Sequence, residues 1–203
     1  MVEKLTSTAF EILSFYKNDY AASVHIRALA KTIGTSHVAL LPHLKLLEEL
    51  KILNAQTLGR NKQFTLNKDN ILTKYYLIAA EEHVTIQYLQ KTFLIKKLAE
   101  HLNNIDISVP LLLFGSYVKG YANEESDIDL FAIGKLTENQ QDAFNKFEAI
   151  FGKKINVKTA TAENFNAGLR NGDILIREIV ANHIVIRNAD PFVTLLWRQY
   201  VGQ

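Results

Sequence analysis

The stretch G-S-Y-V-K-G-Y-A-N-E-E-S-D-I-D-L, residues 115–130, joins a tight turn suited to phosphate to two carboxylates one residue apart. The apolar run ahead of it, residues 109–114, predicts a buried strand. Gly115 permits a sharp turn and a close approach to a ligand, Ser116 opens a short helix with free N–H groups, and Gly120 closes it. Residues 126–133 predict a second strand. Its period of two places Asp127 and Asp129 on one face, roughly 6.6 Å apart at about 3.3 Å per residue, with Ile128, Leu130 and Ala132 facing the other way. Carboxylates that close repel one another unless a cation lies between them, and Mg²⁺ takes one or two carboxylates together with phosphate oxygens. A hairpin with an Asp-rich turn is the plainer reading of the same letters.

Gly115-Ser116, Gly120 and Ser126-Asp127-Ile128-Asp129-Leu130 resemble the signature of the nucleotidyltransferase superfamily related to DNA polymerase beta, in its minimal-domain subgroup. The resemblance spans roughly residues 98–186. It implies in-line displacement at the α-phosphorus of a nucleoside triphosphate, with two metal ions about 3.5–4 Å apart clamping the attacking and leaving oxygens. By this resemblance Asp127 and Asp129 are the catalytic, Mg²⁺-holding pair, and Gly115, Ser116, Lys119 and Ser126 bind the nucleotide. Lys119 stands where many relatives carry Arg nearby, and it lacks the planar fork. The superfamily also requires a third carboxylate on the strand after the next helix. The aligned position, in the strand expected at residues 154–159, is Asn156, which removes one negative charge and cannot act as a base. Glu163 and Asp173 are nearby acids that could substitute, and another strand register would change the alignment.

Composition bounds the rest. The chain has 203 residues, 48% of them hydrophobic, enough for one core or two. No run approaches the roughly 20 apolar residues that span a bilayer, and the opening residues lack the apolar stretch of a signal peptide. A cytoplasmic protein without membrane contact is expected. The absence of cysteine rules out disulfides and thiolate metal sites. Net charge is +2, too mild to argue for nucleic acid by itself.

Residues 2–17 show helical apolar spacing. Ser23 is expected to cap a helix over 24–33 that Gly34 ends, and Thr35 or Ser36 a helix from His37 to about Leu50 with Val38, Leu41, Leu44, Leu47 and Leu50 on one stripe. Residues 52–58 and 63–66 predict strands around the turn Gly59-Arg60-Asn61-Lys62. Helix, helix, Gly-containing turn, helix and basic-tipped hairpin resemble a winged helix-turn-helix of the ArsR type over residues 2–67. That resemblance implies DNA contact by Ser36, His37, His43 and Lys45 from the third helix, and by Arg60 and Lys62 from the wing. Lys51 stands where such domains often turn on Gly or Asn. Winged helices also serve as protein-binding or dimerisation modules, so those uses stay open.

Residues 68–103 predict helix with apolar positions on more than one face, suited to packing or to pairing in a homodimer. Helices at 137–151, 161–168, 173–182 and 191–200 alternate with strands at 154–159 and 183–187. The expected architecture is α/β (α+β): a winged helix-turn-helix domain at 1–67, a linking or dimerising helix at 68–103, and a nucleotidyltransferase-like mixed sheet flanked by helices at 104–203. His101, His183 and Trp197 are expected to be structural, and Arg170 and Arg177 solvated or ion-paired. The function expected is a DNA-binding transcriptional regulator whose second domain binds Mg²⁺ and a nucleoside triphosphate with weak or no transfer. The alternative is an active enzyme moving AMP to a protein or RNA acceptor, as relatives that act as antitoxins do. A partner-binding protein with both sites vestigial is the third possibility.

Overall fold

A computed structural model describes residues 5–59 and 61–201, and the chain divides into two units. One unit comprises residues 1–84 with 196–203, the other residues 85–195.

In the first unit, α1 (Ser7–Ser14) is followed by β1 (Ser23–His25), α2 (Ile26–Ile33), α3 (His37–Glu49), β2 (Leu53–Leu58) and β3 (Asn61–Leu66). The helix α4 (Ile71–Lys91) starts here and ends in the second unit. The three strands form an antiparallel sheet in the order β1-β3-β2. The expected helix over 24–33 is shorter at its start, because Val24 is buried opposite Phe64 and holds residues 23–25 extended. His25, and not Ser23, then caps α2, its Nδ1 accepting from the Arg27 N–H at 3.1 Å. Ser36 caps α3, accepting from the Ala39 N–H at 3.2 Å.

The apolar stripe of α3 also differs from expectation. The buried positions are Leu40, Leu44 and Leu47, whereas Val38 and Leu41 are 61% and 53% exposed. A row repeated every third residue drifts by roughly 60° per step on a helix of 3.6 residues per turn, so no single face can hold all five residues of the expected row. After α3 the chain does turn at Lys51, with φ 55° in the left-handed region. The side-chain amides of Asn67 and Asn70 donate to its carbonyl at 2.8 and 2.9 Å and offset that strain.

The core of this unit carries polar groups among apolar ones. Tyr16 is buried with its hydroxyl donating to the Phe64 carbonyl at 2.9 Å, and Tyr20 packs against Trp197 and Tyr200. Burial raises the pKa of both tyrosines well above the usual value of 10.0, and burial also lowers that of Lys17 from 10.5 against the pull of Glu81. A phenol that resists ionisation when folded keeps its full contribution below pH 10 and loses it as pH rises further, because the unfolded chain ionises first. Lys17 acts in the opposite sense, its burial penalty fading as pH approaches 10.5. The denaturation midpoint should therefore fall between about pH 10 and 11, and Tyr16→Phe should flatten that fall; an unchanged slope would refute the assignment.

In the second unit α4 ends at Lys91 and α5 (Phe93–Leu102) follows. The helix expected over 68–103 is thus two, broken at Thr92, whose extended backbone (φ −120°, ψ 91°) interrupts the ladder. Then come β4 (Leu111–Phe114), α6 (Ser116–Lys119), β5 (Ile128–Ile133), α7 (Glu138–Phe151), β6 (Ile155–Ala160), α8 (Ala162–Asn171), α9 (Ile174–Ala181), β7 (Ile184–Arg187) and the start of α10 (Ala189–Tyr200), whose last residues belong to the first unit. The sheet order is β6-β5-β4-β7, with β4 antiparallel to both β5 and β7, and β5 parallel to β6. It is a mixed sheet, and all four residues of β4 are buried in its middle. Thr137 with Gln140 forms a reciprocal cap on α7, and Thr161 and Asp173 cap α8 and α9. Among the described residues no helix is long and apolar enough to cross a membrane.

Candidate functional site

β5 lies between β4 and β6, so both flanks constrain its carboxylates. Asp129 stands opposite Phe114 on β4 and opposite Asn156 on β6, and Asp127 immediately precedes the strand. The Asn156 Nδ2 donates to Asp127 Oδ2 at 3.0 Å and to Asp129 Oδ1 at 3.4 Å. One amide reaches both acids, so the two face the same side, while Ile128 and Leu130 are buried on the other. Lys154, on the segment leading into β6, places its Nζ 3.8 Å from Asp127 Oδ2. The carboxylate pair is thus already met by an amide and an ammonium from the neighbouring strand.

Gly115 carries the turn between β4 and α6 with φ 75° and ψ −147°, a region close to that reserved for glycine. A Cβ added there would stand 2.4 Å from Asp129 Oδ2. The missing side chain is what allows that carboxylate to lie against the turn. Gly115→Ala should therefore cost about 1–3 kcal/mol in backbone strain alone, and displace Asp129 as well. Thermal unfolding reads the first effect; a wild-type melting temperature would contradict it.

α6 is anchored from outside. Tyr88 on α4 donates its hydroxyl to the Tyr117 carbonyl at 3.0 Å, and Gly120 closes the helix in the left-handed conformation. Burial, then the nearby charge of Asp127, raises the Tyr117 phenol above its usual range. Lys119 at the end of α6 donates to Glu178 Oε1 of α9 at 2.5 Å, and this contact holds its pKa above the ordinary lysine value. Ser126 is engaged within its own turn, accepting from the Asn123 N–H at 2.9 Å and donating to Asn123 Oδ1 at 3.1 Å. Of the two alternative acids, Asp173 is occupied as the cap of α9, accepting from Ile176 N–H at 2.9 Å, and Glu163 is exposed in the first turn of α8. Tyr88 and Glu178 had no signal in the sequence, since nothing local ties them to the acidic pair.

The other candidates lie in the first unit. Ser36 uses its hydroxyl as the cap of α3, and His37 is exposed beside it. His43 Nδ1 shares a hydrogen bond with Thr6 Oγ1 at 3.1 Å. Lys45 lies 3.6 Å from Glu49, and Lys62 lies 2.8 Å from Glu48 with its ammonium over the Phe64 ring. Arg60 is outside the described residues. His183 is buried with Nδ1 against the carbonyls of Ile179 and Val180, and His101 is half-buried against the Ala143 carbonyl, both structural roles.

The donor set can be tested against the metal this chemistry implies. Asp127 and Asp129 converge, which suits one divalent cation shared with phosphate oxygens. Turning the Asn156 amide over would offer its neutral oxygen as well. Two cations fit less well, because the residue facing both acids brings no charge. Among the described residues no group of three or more His, Cys, Asp or Glu is placed to share an ion.

Residues 94–191 match the family model described as polymerase beta, nucleotidyltransferase, and this segment is a nucleotidyltransferase domain of that kind. The chain is also similar to a protein of Methanocaldococcus jannaschii named "Putative protein adenylyltransferase", 29% identical over 102 residues, or 47% of this chain and 67% of that one. A solved toxin-antitoxin structure with AMP-PNP shares 14% identity and covers 52% of this chain and 87% of its own, at a TM-score of 0.34 too low to bear on fold.

Proposed function

We propose that this chain is a DNA-binding transcriptional regulator whose nucleotidyltransferase domain binds a nucleoside triphosphate with one Mg²⁺ and transfers its nucleotidyl group weakly or not at all. The observation that carries this reading is the Asn156 amide donating to both Asp127 and Asp129. When bound, Mg²⁺ would neutralise triphosphate charge beside the two acids. Asp127 and Asp129 would hold it, while Gly115 keeps Asp129 against the turn and Ser116, Ser126 and Lys119 meet phosphate oxygens. Attack on the α-phosphorus would also need the acceptor hydroxyl to give up its proton. Asn156 cannot accept it, and removal of a general base typically costs about 10²–10⁴-fold in rate.

The regulator half of the proposal is supported by the order of elements in the first unit and by the exposed start of α3. Residues 1–67 would contact DNA, with Ser36, His37, His43 and Lys45 in the major groove and Arg60 and Lys62 on the backbone. Residues 68–103 would join two copies, since paired half-sites need two modules. Lys45 and Lys62 are already paired with Glu49 and Glu48, so binding would exchange partners for them, and the salt dependence should be shallow.

Calorimetric titration of the full chain with ATP and Mg²⁺ tests the nucleotide half. Heat with the wild type that disappears in Asp127→Ala and Asp129→Ala is expected, and no heat at all would remove the nucleotide. A second reading, AMP transfer to a protein, is supported by the name of the archaeal relative. Label transferred from ATP to a protein acceptor by the wild type, and lost in Asp127→Ala, would establish it over ours.

A further inference from the structure

We propose that Glu178 is a charge filter that competes with incoming phosphate for the Lys119 ammonium and so tempers the site's affinity for nucleotides. This rests on the nucleotide-binding reading above. Lys119 ends the single-turn helix that starts beside Gly115, the residue on which Asp129 lies. Its Nζ is 2.5 Å from Glu178 Oε1, a carboxylate from α9, a separate element 59 residues further along the chain. The two side chains keep 31% and 37% of their surface, so a ligand can reach the pair without unfolding anything.

The exchange has two parts. Lys119 trades one carboxylate for phosphate oxygens, and Glu178 is left as an unpaired negative charge beside the incoming ligand. A half-exposed pair is weak, so breaking it is easy, but the stranded carboxylate repels whatever anion has replaced it. A monophosphate carries about −1.5 to −2 and offers few oxygens to offset that repulsion. Each further phosphate adds attraction to Lys119 and to the cation held by the acids, and it also adds repulsion from Glu178 in proportion to its charge. Glu178 therefore tempers what each added phosphate contributes to binding.

The test is calorimetric titration of the full chain with AMP, ADP and ATP in Mg²⁺, for the wild type, Glu178→Gln, Lys119→Ala and the double variant. Glu178→Gln should tighten ATP about threefold to tenfold, the range of a weakly screened surface charge, and should tighten AMP by less, widening the preference. Lys119→Ala should weaken ATP, and in that background Glu178→Gln should give a smaller gain, from relieved repulsion alone. Unchanged affinities in Glu178→Gln, or the same gain with and without Lys119, would overturn the filter while leaving nucleotide binding intact. Binding by Glu178→Gln alone would support it in a stricter form. If neither the wild type nor Glu178→Gln binds any nucleotide, the filter and the reading beneath it both fail.

Discussion

Replacing Asn156 by aspartate is expected to raise nucleotidyl transfer by about 10²-fold or more, and to make the protein less stable when Mg²⁺ is withheld. Both effects come from one atom. The Nδ2 that now donates at 3.0 and 3.4 Å to Asp127 and Asp129 would become a third carboxylate oxygen between them. Without a cation, the variant loses two hydrogen bonds and gains like-charge repulsion, for a cost of about 1–2 kcal/mol after solvent screening of these half-exposed groups. With Mg²⁺, the same carboxylate supplies the charge a second ion needs and a group able to take the acceptor's proton, which sets the scale of the gain. Pyrophosphate release from ATP reads the chemistry, and melting with and without Mg²⁺ reads the electrostatics. A variant whose melting responds to Mg²⁺ no more than the wild type does would sink the idea that Asn156 keeps the second ion out. A stronger metal response without faster transfer would leave the site with a further defect in catalysis.

Glu81→Ala is expected to destabilise the first unit by about 3–5 kcal/mol. Glu81 is 1% exposed and lies 3.7 Å from the Lys17 ammonium, itself 13% exposed. Truncation leaves Lys17 with much less to balance its charge in a site whose burial already lowers its pKa. The loss should shrink as pH rises toward 10.5, because the lysine can then fold uncharged at no penalty. Pairing Glu81→Leu with Lys17→Met should recover most of the stability, since apolar residues of similar size replace buried ion pairs at little cost. Trp197, the single tryptophan, packs on Tyr20 in the same unit, so its fluorescence during denaturation follows this core. A midpoint within error of the wild type would show that the pair contributes nothing.

The acidic pair was readable in the sequence because its geometry is local. Asp127 and Asp129 are two residues apart, and any strand there turns them the same way. Asn156 was readable at one remove, as the residue of the next strand in the βαβ crossover, and the parallel register sets it opposite Asp129. Lys154 follows from that same register, two residues before Asn156, whereas Glu178 and Tyr88 were not readable, since each arrives by packing of elements and not by chain proximity. β1 escaped notice because three residues carry no period, and pairing with β3 alone makes them a strand. The wrong stripe on α3 came from a three-residue row that no straight helix can keep on one side.

The first unit is built from two distant pieces of chain, with residues 196–201 supplying Trp197 and Tyr200 to the surroundings of Tyr20. A ribosome releases the chain in order, so the segment before residue 85 must wait for a stretch made more than a hundred residues later. The contiguous second unit has no such delay and can settle during translation. The first unit is then begun before the second and completed after it, and its interval of incompleteness is when chaperones and proteases would meet it.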